Sequence, residues 1–251
     1  MKPKVLILEG FGINCEKETE RAFFLAGAKP ERVHLTQLIK KEKKLKDYQI
    51  LVFPGGFSFG DDISAGKILA LKIKYNLKEE ILKFIEKGKL IIGICNGFQV
   101  LVKMGILPST KEFSQKVTLA LNDSGKFIDK WVSLRINKNS PCVWTKNIER
   151  LYLPIRHSQG KFVFKDEKVK REILKKNQIV LQYEGKNPNG SQLKVAGICD
   201  ETGRILGLMP HPEAFLIYQN HPKWWQFREK KYFLGWYIFK NGVKFVKKEI
   251  I

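Results

Sequence analysis

The stretch Lys89-Leu-Ile-Ile-Gly-Ile-Cys-Asn-Gly-Phe-Gln99 decides the fold, because it joins a strand pattern to a helix pattern through a glycine-flanked cysteine. The apolar residues at 90–92 are consecutive rather than alternating, which is typical of a parallel strand covered on both faces. A strand, a Gly-x-Cys-x-Gly turn and a helix indicate a nucleophile elbow, in which the central residue occupies a strained turn. Cys95 is therefore a candidate nucleophile, and the amino end of the next helix would favour its thiolate. A buried structural cysteine is the alternative that this turn alone leaves open.

Strand and helix patterns alternate on the amino-terminal side of this stretch, from residue 4 onward to residue 105. Strands are predicted at 5–8, 32–35 and 50–53, and helices at 15–28, 64–73 and 77–86. This alternation predicts an α/β fold with a doubly wound, mostly parallel sheet. Sites in such sheets form beyond the carboxyl ends of the strands. The Gly55-Gly56 turn and the Cys95 turn are both expected at that edge.

The remainder of the chain changes character but shows no linker, so we expect a single domain over residues 1–251. Short strand patterns predict an antiparallel insertion at about 116–165, lying over the end of the sheet. A basic helix at 166–176 and strands at 179–183 and 195–199 follow. Aromatic residues at helical spacing predict a carboxyl-terminal helix over about 222–251, packed on the sheet; they are Trp224, Trp225, Phe227, Tyr232, Phe233, Trp236, Tyr237, Phe239 and Phe245.

Composition excludes several classes of function. Lys and Arg number 46 against 25 Asp and Glu, a net charge of +21, but the basic residues are spread over helices and loops. Because no nucleic-acid-binding motif accompanies them, we expect no nucleic-acid partner. No signal peptide and no apolar segment of about 20 residues are visible, so we expect no membrane association. The four scattered cysteines predict neither a metal site nor a disulfide framework, and they indicate a cytoplasmic location.

A cysteine nucleophile requires a base, and His211 is the best candidate of the four histidines. It follows a strand, lies between two prolines, and precedes Glu213 by two positions, so the three residues have the composition of a catalytic triad. His157 is left open as a further residue of the site or of an interface. The N–H of Asn96 is a predicted oxyanion donor, and either glycine of the Gly55-Gly56 turn could supply the second.

Four motifs together resemble a known family; they are Gly93-Ile-Cys-Asn-Gly-Phe-Gln-Val-Leu101, Pro54-Gly-Gly-Phe-Ser-Phe-Gly-Asp61, Asn187-Pro-Asn-Gly-Ser191 and Met209-Pro-His-Pro-Glu213. The chain resembles the class I, triad-type glutamine amidotransferases. Within them it is similar to the glutaminase subunits of phosphoribosylformylglycinamidine synthases, which act in purine biosynthesis. The resemblance runs nearly end to end.

The resemblance implies a flavodoxin-like sheet and a set of roles. Cys95 would attack the side-chain amide of L-glutamine and form a glutamyl thioester. His211 would act as general base and then as general acid, with Glu213 orienting it. The N–H groups of Gly56 and Asn96 would hold the oxyanion. The residues implied to bind glutamine are Gly55, Phe57 and Gln99.

The resemblance also implies partners. Ammonia would pass to an ATP-dependent synthetase subunit, with a small third subunit bridging the two. ATP and Mg²⁺ would belong to the synthetase, and this chain would carry no cofactor, since it has no Walker motif. One loop departs from the family pattern, because His157-Ser-Gln-Gly160 stands where the family has His-Gly-Glu-Gly.

Two other readings are weighed against this one. A cysteine peptidase or chaperone-like hydrolase of the same sheet family would share the elbow but not Gln99 or the His-Pro-Glu sequence. A basic binding domain with an inactive site would show salt-sensitive binding to nucleic acid. The intact set of Cys95, His211 and Glu213 argues against an inactive site.

Overall fold

The computed structural model describes residues 1–226 and 234–251, and its strands form a nine-stranded sheet and a two-stranded sheet. The strands are Lys4–Glu9 (β1), Lys29–His34 (β2), Ile50–Phe53 (β3), Leu90–Ile94 (β4), Val117–Leu121 (β5), Ile128–Ile136 (β6), Arg150–His157 (β7), Gln159–Phe164 (β8), Ile179–Tyr183 (β9), Val195–Cys199 (β10) and Ile205–Leu208 (β11). The helices are Glu16–Leu25 (α1), Leu35–Ile39 (α2), Lys67–Glu86 (α3), Asn96–Met104 (α4), Glu167–Lys175 (α5) and Trp236–Glu249 (α6).

The large sheet has the order β2-β1-β3-β4-β11-β10-β9-β6-β7, and its first five strands are parallel. Every residue of β3 and β4 is buried. Successive side chains of a strand point to opposite faces, so both faces of the sheet centre are covered, as their unbroken apolar runs predict. Helix α1 packs with α6, and α3 packs with α4. The predicted α/β fold is confirmed, with a site edge where β3, β4 and β11 end together.

The segment between β4 and β9 differs in part from the expected insertion over the sheet's end. Strands β6 and β7 extend the large sheet as antiparallel edge strands, because β6 pairs with β9 through Leu134–Ile136. Strands β5 and β8 form the separate two-stranded sheet. The large sheet is therefore mixed, with a parallel half and an antiparallel half.

Three helical segments also differ from the predicted helices. Helix α3 is continuous where two helices were expected, and the Asn76 side chain donates to the Lys72 carbonyl 2.7 Å away instead of ending the helix. The short helix α2 has no counterpart among the predicted helices. The carboxyl-terminal helix α6 begins at Trp236 rather than near 222, since a 3₁₀ turn occupies Trp224–Gln226. The aromatic residues Phe227, Tyr232 and Phe233 lie outside the described residues.

Among the helices of the described ranges, none combines the length and the apolar character needed to cross a membrane.

Candidate active site

Cys95 lies at the turn between β4 and α4 in a conformation that few non-glycine residues adopt, with φ 50° and ψ −103°. The flanking glycines are required by close packing. A β-carbon at Gly93 would lie 2.6 Å from the Leu101 side chain, and one at Gly97 would overlap the carbonyl oxygen of Phe53. The Cys95 N–H donates to the Leu208 carbonyl at 2.8 Å, which fixes the turn to the end of β11. This is the strained geometry of a nucleophile elbow.

His211 and Glu213 form a buried pair beside this turn. Glu213 Oε1 lies 2.5 Å from His211 Nδ1, and each residue is 3% exposed. Glu213 belongs to the 3₁₀ turn Pro212–Ala214, and the His211 N–H donates to the Pro154 carbonyl at 2.9 Å. Both prolines and this bond restrict the loop. Because Nδ1 of His211 contacts Glu213, Nε2 is the ring nitrogen left for chemistry. Among the described residues it has no hydrogen-bond partner.

Electrostatics favour the protonated form of His211. Burial lowers the pKa of His211, but the Glu213 carboxylate and the neighbouring Cys95 and Cys15 sulfur atoms raise it, and the net pKa lies well above the ordinary value. An imidazolium is the partner that a cysteine thiolate needs. The arrangement can therefore take a proton from the thiol and return it to a leaving group.

Cys15 is a site residue that the sequence analysis missed. It precedes α1, and a β-carbon placed on Gly55 would lie 3.2 Å from its sulfur and 2.8 Å from Cε1 of His211. Burial raises the pKa of the Cys15 thiol, so it stays protonated near neutral pH. The signal available in the sequence was its place after β1, at the edge where sites of parallel sheets form.

Cys15, His211 and Glu213 also have possible metal-ligand atoms within 4.8 Å of one another. The bond between Nδ1 and Oε1 already engages the histidine and the carboxylate with each other. The cluster is thus accounted for as the acid–base pair and an adjacent thiol. The expected absence of a metal stays a prediction.

The Gly55-Gly56 turn lies against the loop after β1. Phe57 donates to the Gly12 carbonyl at 2.7 Å and Asn14 donates to the Gly55 carbonyl at 3.3 Å, so neither bond uses the Gly56 N–H. Gly56 has φ +146°, and a β-carbon there would lie 2.6 Å from the Gly12 carbonyl oxygen. Only glycine fits this conformation and this contact.

A buried polar network joins this turn to the elbow. The Asn96 side chain accepts from the Ser58 N–H at 3.3 Å and donates to Asp61 Oδ1 at 3.0 Å and to Gln99 Oε1 at 2.9 Å. Gln99 Nε2 donates to the Gln159 carbonyl at 2.5 Å. The network fixes the orientation of Gln99, and it connects α4 with the first residue of β8.

The segment 157–160, whose sequence departs from the family pattern, therefore reaches the site through residue 159. The Gln159 side chain accepts from the Ala65 N–H at 3.2 Å, and its carbonyl accepts from Gln99. A carbonyl of β7 is also present, because the Cys95 thiol donates to the Arg156 carbonyl at 3.5 Å. No side-chain pattern could have indicated a backbone acceptor of this kind.

His157, left open by the sequence, is buried next to this network. Its Nδ1 lies 3.1 Å from Asn122 Oδ1, and a β-carbon on Gly160 would overlap its ring. Burial, with a smaller contribution from the charge of His211, lowers the pKa of His157 to about 4. His157 is therefore neutral at pH 7 and lies within electrostatic reach of the base.

Phe57 is placed differently from the other predicted residues, because its ring is 43% exposed. The ring centroid lies 6.3 Å from that of Phe127, which is 50% exposed. Phe57 follows Gly56 directly, so this aromatic pair lies at the outer side of the turn.

Comparison with known proteins assigns the family. The CobB/CobQ-like glutamine amidotransferase domain matches residues 2–246. The chain is 45% identical to phosphoribosylformylglycinamidine synthase subunit PurQ of Dehalococcoides mccartyi, covering 98% of both chains. It is 46% identical to the PurQ subunit of Methanococcus maripaludis strain C5, covering 89% of this chain and 87% of the relative.

A solved structure of similar shape agrees with this assignment. A chain of the PurLQS structure from Thermotoga maritima is 33% identical, with a TM-score of 0.75, and the match covers 98% of this chain and 100% of that one. A second glutamine amidotransferase structure from Thermotoga maritima, at 16% identity and a TM-score of 0.54, shows the shared fold alone. The chain therefore belongs to the CobB/CobQ-like glutamine amidotransferase family, among the PurQ subunits of phosphoribosylformylglycinamidine synthase.

Proposed function

We propose that the chain is the glutaminase subunit of a phosphoribosylformylglycinamidine synthase. It hydrolyses L-glutamine to glutamate and ammonia, and it delivers the ammonia to an ATP-dependent synthetase subunit. That subunit converts formylglycinamide ribonucleotide to formylglycinamidine ribonucleotide. The observation that carries the proposal is the strained Cys95 turn beside the buried pair of His211 and Glu213.

The first half of the reaction forms a thioester. Cys95 gives its thiol proton to His211, and the sulfur attacks the side-chain carbonyl carbon of glutamine. The carbonyl oxygen becomes an oxyanion held by the N–H groups of Asn96 and Gly56. When the tetrahedral intermediate collapses, the carbon–nitrogen bond breaks and His211 returns the proton to the leaving nitrogen, which departs as ammonia.

The second half removes the glutamyl group. Water attacks the thioester carbon while His211 accepts one of its protons. The carbon–sulfur bond then breaks, the proton passes to the sulfur, and glutamate leaves. Glu213 stabilises the imidazolium in both halves through its 2.5 Å contact with Nδ1.

Glutamine binding is assigned to the residues around this path. Gln99 shapes the pocket from α4, because its amide is held by Asn96 and by the Gln159 carbonyl. Gly55 leaves room beside the His211 ring, since any β-carbon there would crowd Cε1. Phe57 contributes from the rim.

The remaining parts of the proposal concern the surroundings of the chain. ATP and Mg²⁺ act on the synthetase subunit, and a small third subunit bridges the two. The location is cytoplasmic, in keeping with cysteines at 15, 95, 142 and 199 that are all free thiols.

Release of glutamate from L-glutamine, with and without the cognate synthetase subunit, tests the proposal. A glutamine-analogue alkylator should abolish release and label Cys95 alone, although the Cys15 thiol lies beside the same histidine. Cys95→Ala should abolish glutamine-dependent synthesis by the reconstituted complex and leave ammonia-dependent synthesis intact, because the synthetase needs only ammonia. Cys15→Ala is the matched control and should keep glutamine-dependent synthesis. Residual glutamine use by Cys95→Ala, or label on Cys15, would overturn the assignment of the nucleophile.

A further inference from the structure

A cavity of about 320 Å³ lies at the opposite end of the sheet from Cys95. It is lined by the connector after α2 and by the second half of α3. Lys89, one of its lining residues, directly precedes β4, whereas Cys95 directly follows β4. The cavity is therefore separate from the active site, and nothing in the proposed reaction uses it.

The floor of this cavity is apolar. It is made by Leu38, Leu45, Leu77 and Phe84, each of which is at most 5% exposed. Cavities of about 300 Å³ and above with an apolar lining and a few polar groups are the usual form of small-molecule sites.

The wall of the cavity is strongly cationic. Seven lysines line it, against one acidic residue, Glu80. The Lys43 ammonium group is paired with Glu31 at 2.5 Å. Within residues 1–226 and 234–251, no ion pair is formed by the other six, which are Lys41, Lys44, Lys46, Lys83, Lys87 and Lys89. The cavity wall thus carries an excess of positive charge.

Lys89 is the most constrained of these cations, since it is 8% exposed. Its Nζ donates to the Lys46 carbonyl at 2.7 Å and to the Tyr48 carbonyl, and it lies 5.0 Å from the centre of the Phe84 ring. Burial lowers the pKa of Lys89 and Lys87 lowers it further, whereas Asp47 opposes them. A buried ammonium group among other cations is stabilised by an anion that enters the cavity.

We propose that this cavity binds a nucleoside monophosphate, with its base on the floor of Leu45, Leu77 and Phe84 and its phosphate among the lysines. This class of ligand combines the two features that the cavity offers, an apolar planar group and a compact anion. Inorganic phosphate lacks the first feature and a free nucleoside lacks the second.

Calorimetric titration with AMP, inorganic phosphate and adenosine tests the proposal on the full chain. We expect saturable binding of one AMP, at least tenfold weaker binding of phosphate, and no measurable binding of adenosine. The variant Lys44→Ala/Lys83→Ala/Lys87→Ala removes exposed ammonium groups and should weaken AMP binding at least tenfold. The variant Lys130→Ala/Lys186→Ala/Lys244→Ala removes as many exposed charges outside the cavity and should bind AMP as the parent does. Alkylation of Cys95 should not alter AMP binding.

Several outcomes would overturn the proposal. Equal affinities for AMP and phosphate would reduce the cavity to a nonspecific cationic surface. Equal AMP affinities for the two triple variants would exclude these lysines as ligands. Loss of AMP binding after alkylation would place AMP in the active site. Absence of saturable AMP binding by the full chain would exclude a nucleotide site in this cavity. A failure of glutamate release would leave all of these results unaffected, so the two proposals are tested separately.

Discussion

Glu213 controls the charge of His211, because its carboxylate is the nearest anion to a ring that is otherwise buried. Burial lowers the pKa of His211, and Glu213 is the largest of the influences that raise it. Glu213→Gln keeps the shape of the side chain and removes the charge. We expect kcat to fall by about 10²- to 10⁴-fold and the pKa of His211 to fall. Turnover kinetics and NMR titration of the His211 ring, assigned with a His211 variant, measure the two effects.

Glu184→Gln is a suitable control for this substitution, since Glu184 pairs with Arg150 away from the triad. It should change neither turnover nor the His211 titration. Unchanged turnover in Glu213→Gln would make Glu213 a structural residue only.

His157 makes the fold sensitive to acid. Its pKa is lowered to about 4 by burial and by His211, whereas an unfolded histidine titrates near 6.5. Below pH 6.5 His157 becomes protonated in the unfolded chain but stays neutral in the folded chain. The free energy of unfolding therefore falls as the pH falls toward 4. Between pH 6 and pH 4.5 this group should cost about 2 kcal/mol of unfolding free energy. His211 contributes little slope there, because its raised pKa keeps the folded side chain protonated and an unfolded histidine is mostly protonated below pH 6.

The variant His157→Gln isolates this contribution. Urea denaturation at pH 6 and pH 4.5 should show a loss for the parent that exceeds the loss for the variant by about 2 kcal/mol. Carboxylates that titrate in the same window, such as Glu31, contribute equally to both proteins and cancel. Identical losses would mean that His157 becomes protonated without cost in the folded chain.

At the scale of elements, the junction of β3, β4 and α4 depends on the absence of a β-carbon at Gly97. A β-carbon there would overlap the Phe53 carbonyl oxygen, which belongs to the backbone of β3 and cannot rotate away. Gly97→Ala should therefore lower the unfolding free energy by about 3 kcal/mol or more. Gly10→Ala is the matched control, since a β-carbon there would meet Ile13 and Leu35 only at 3.8 and 3.9 Å. Urea denaturation of both variants measures the difference, and equal stability would contradict the close approach of α4 to β3.

The same junction explains which elements could be predicted from the sequence. The apolar runs of β3 and β4 and the Gly-x-Cys-x-Gly turn carry local signals, so both strands and the elbow agree with the sequence analysis. The pairing of β6 with β9 has no such signal, since it depends on partners distant in the chain. The sequence pattern predicts two helices in place of α3 because Tyr75 and Asn76 are polar and exposed. Their backbone nevertheless continues the helix.

At the scale of the whole molecule, the topology brings the triad together. β11 pairs in parallel with β4, with Leu208 opposite Ile94, so the loop after β11 meets the turn after β4. The sequence predicted Cys95 and the Gly55-Gly56 turn at one edge and assigned His211 by its chemistry. It did not predict the Arg156 carbonyl or the contact of Gln159 with Gln99, because these are supplied by backbone atoms of strands placed only by the fold.

The outer side of the site presents apolar surface that a partner would cover. Phe57 and Phe127 are 43% and 50% exposed, their ring centroids lie 6.3 Å apart, and Phe57 adjoins the turn that faces Cys95. Ammonia must pass from Cys95 to the synthetase without escaping, so we expect the synthetase to bury this pair.

Phe127→Asp should weaken binding of the synthetase at least tenfold, because it places a charge in an apolar interface. The rate of Cys95 alkylation in the free chain should change by less than about twofold, since Phe127 takes no part in the acid–base pair. Titration of the synthetase with the labelled chain measures the affinity. Tyr75→Asp is the control, because Tyr75 is 83% exposed on α3 and lies outside the site. Equal affinities of the two variants would mean that the synthetase docks on another face.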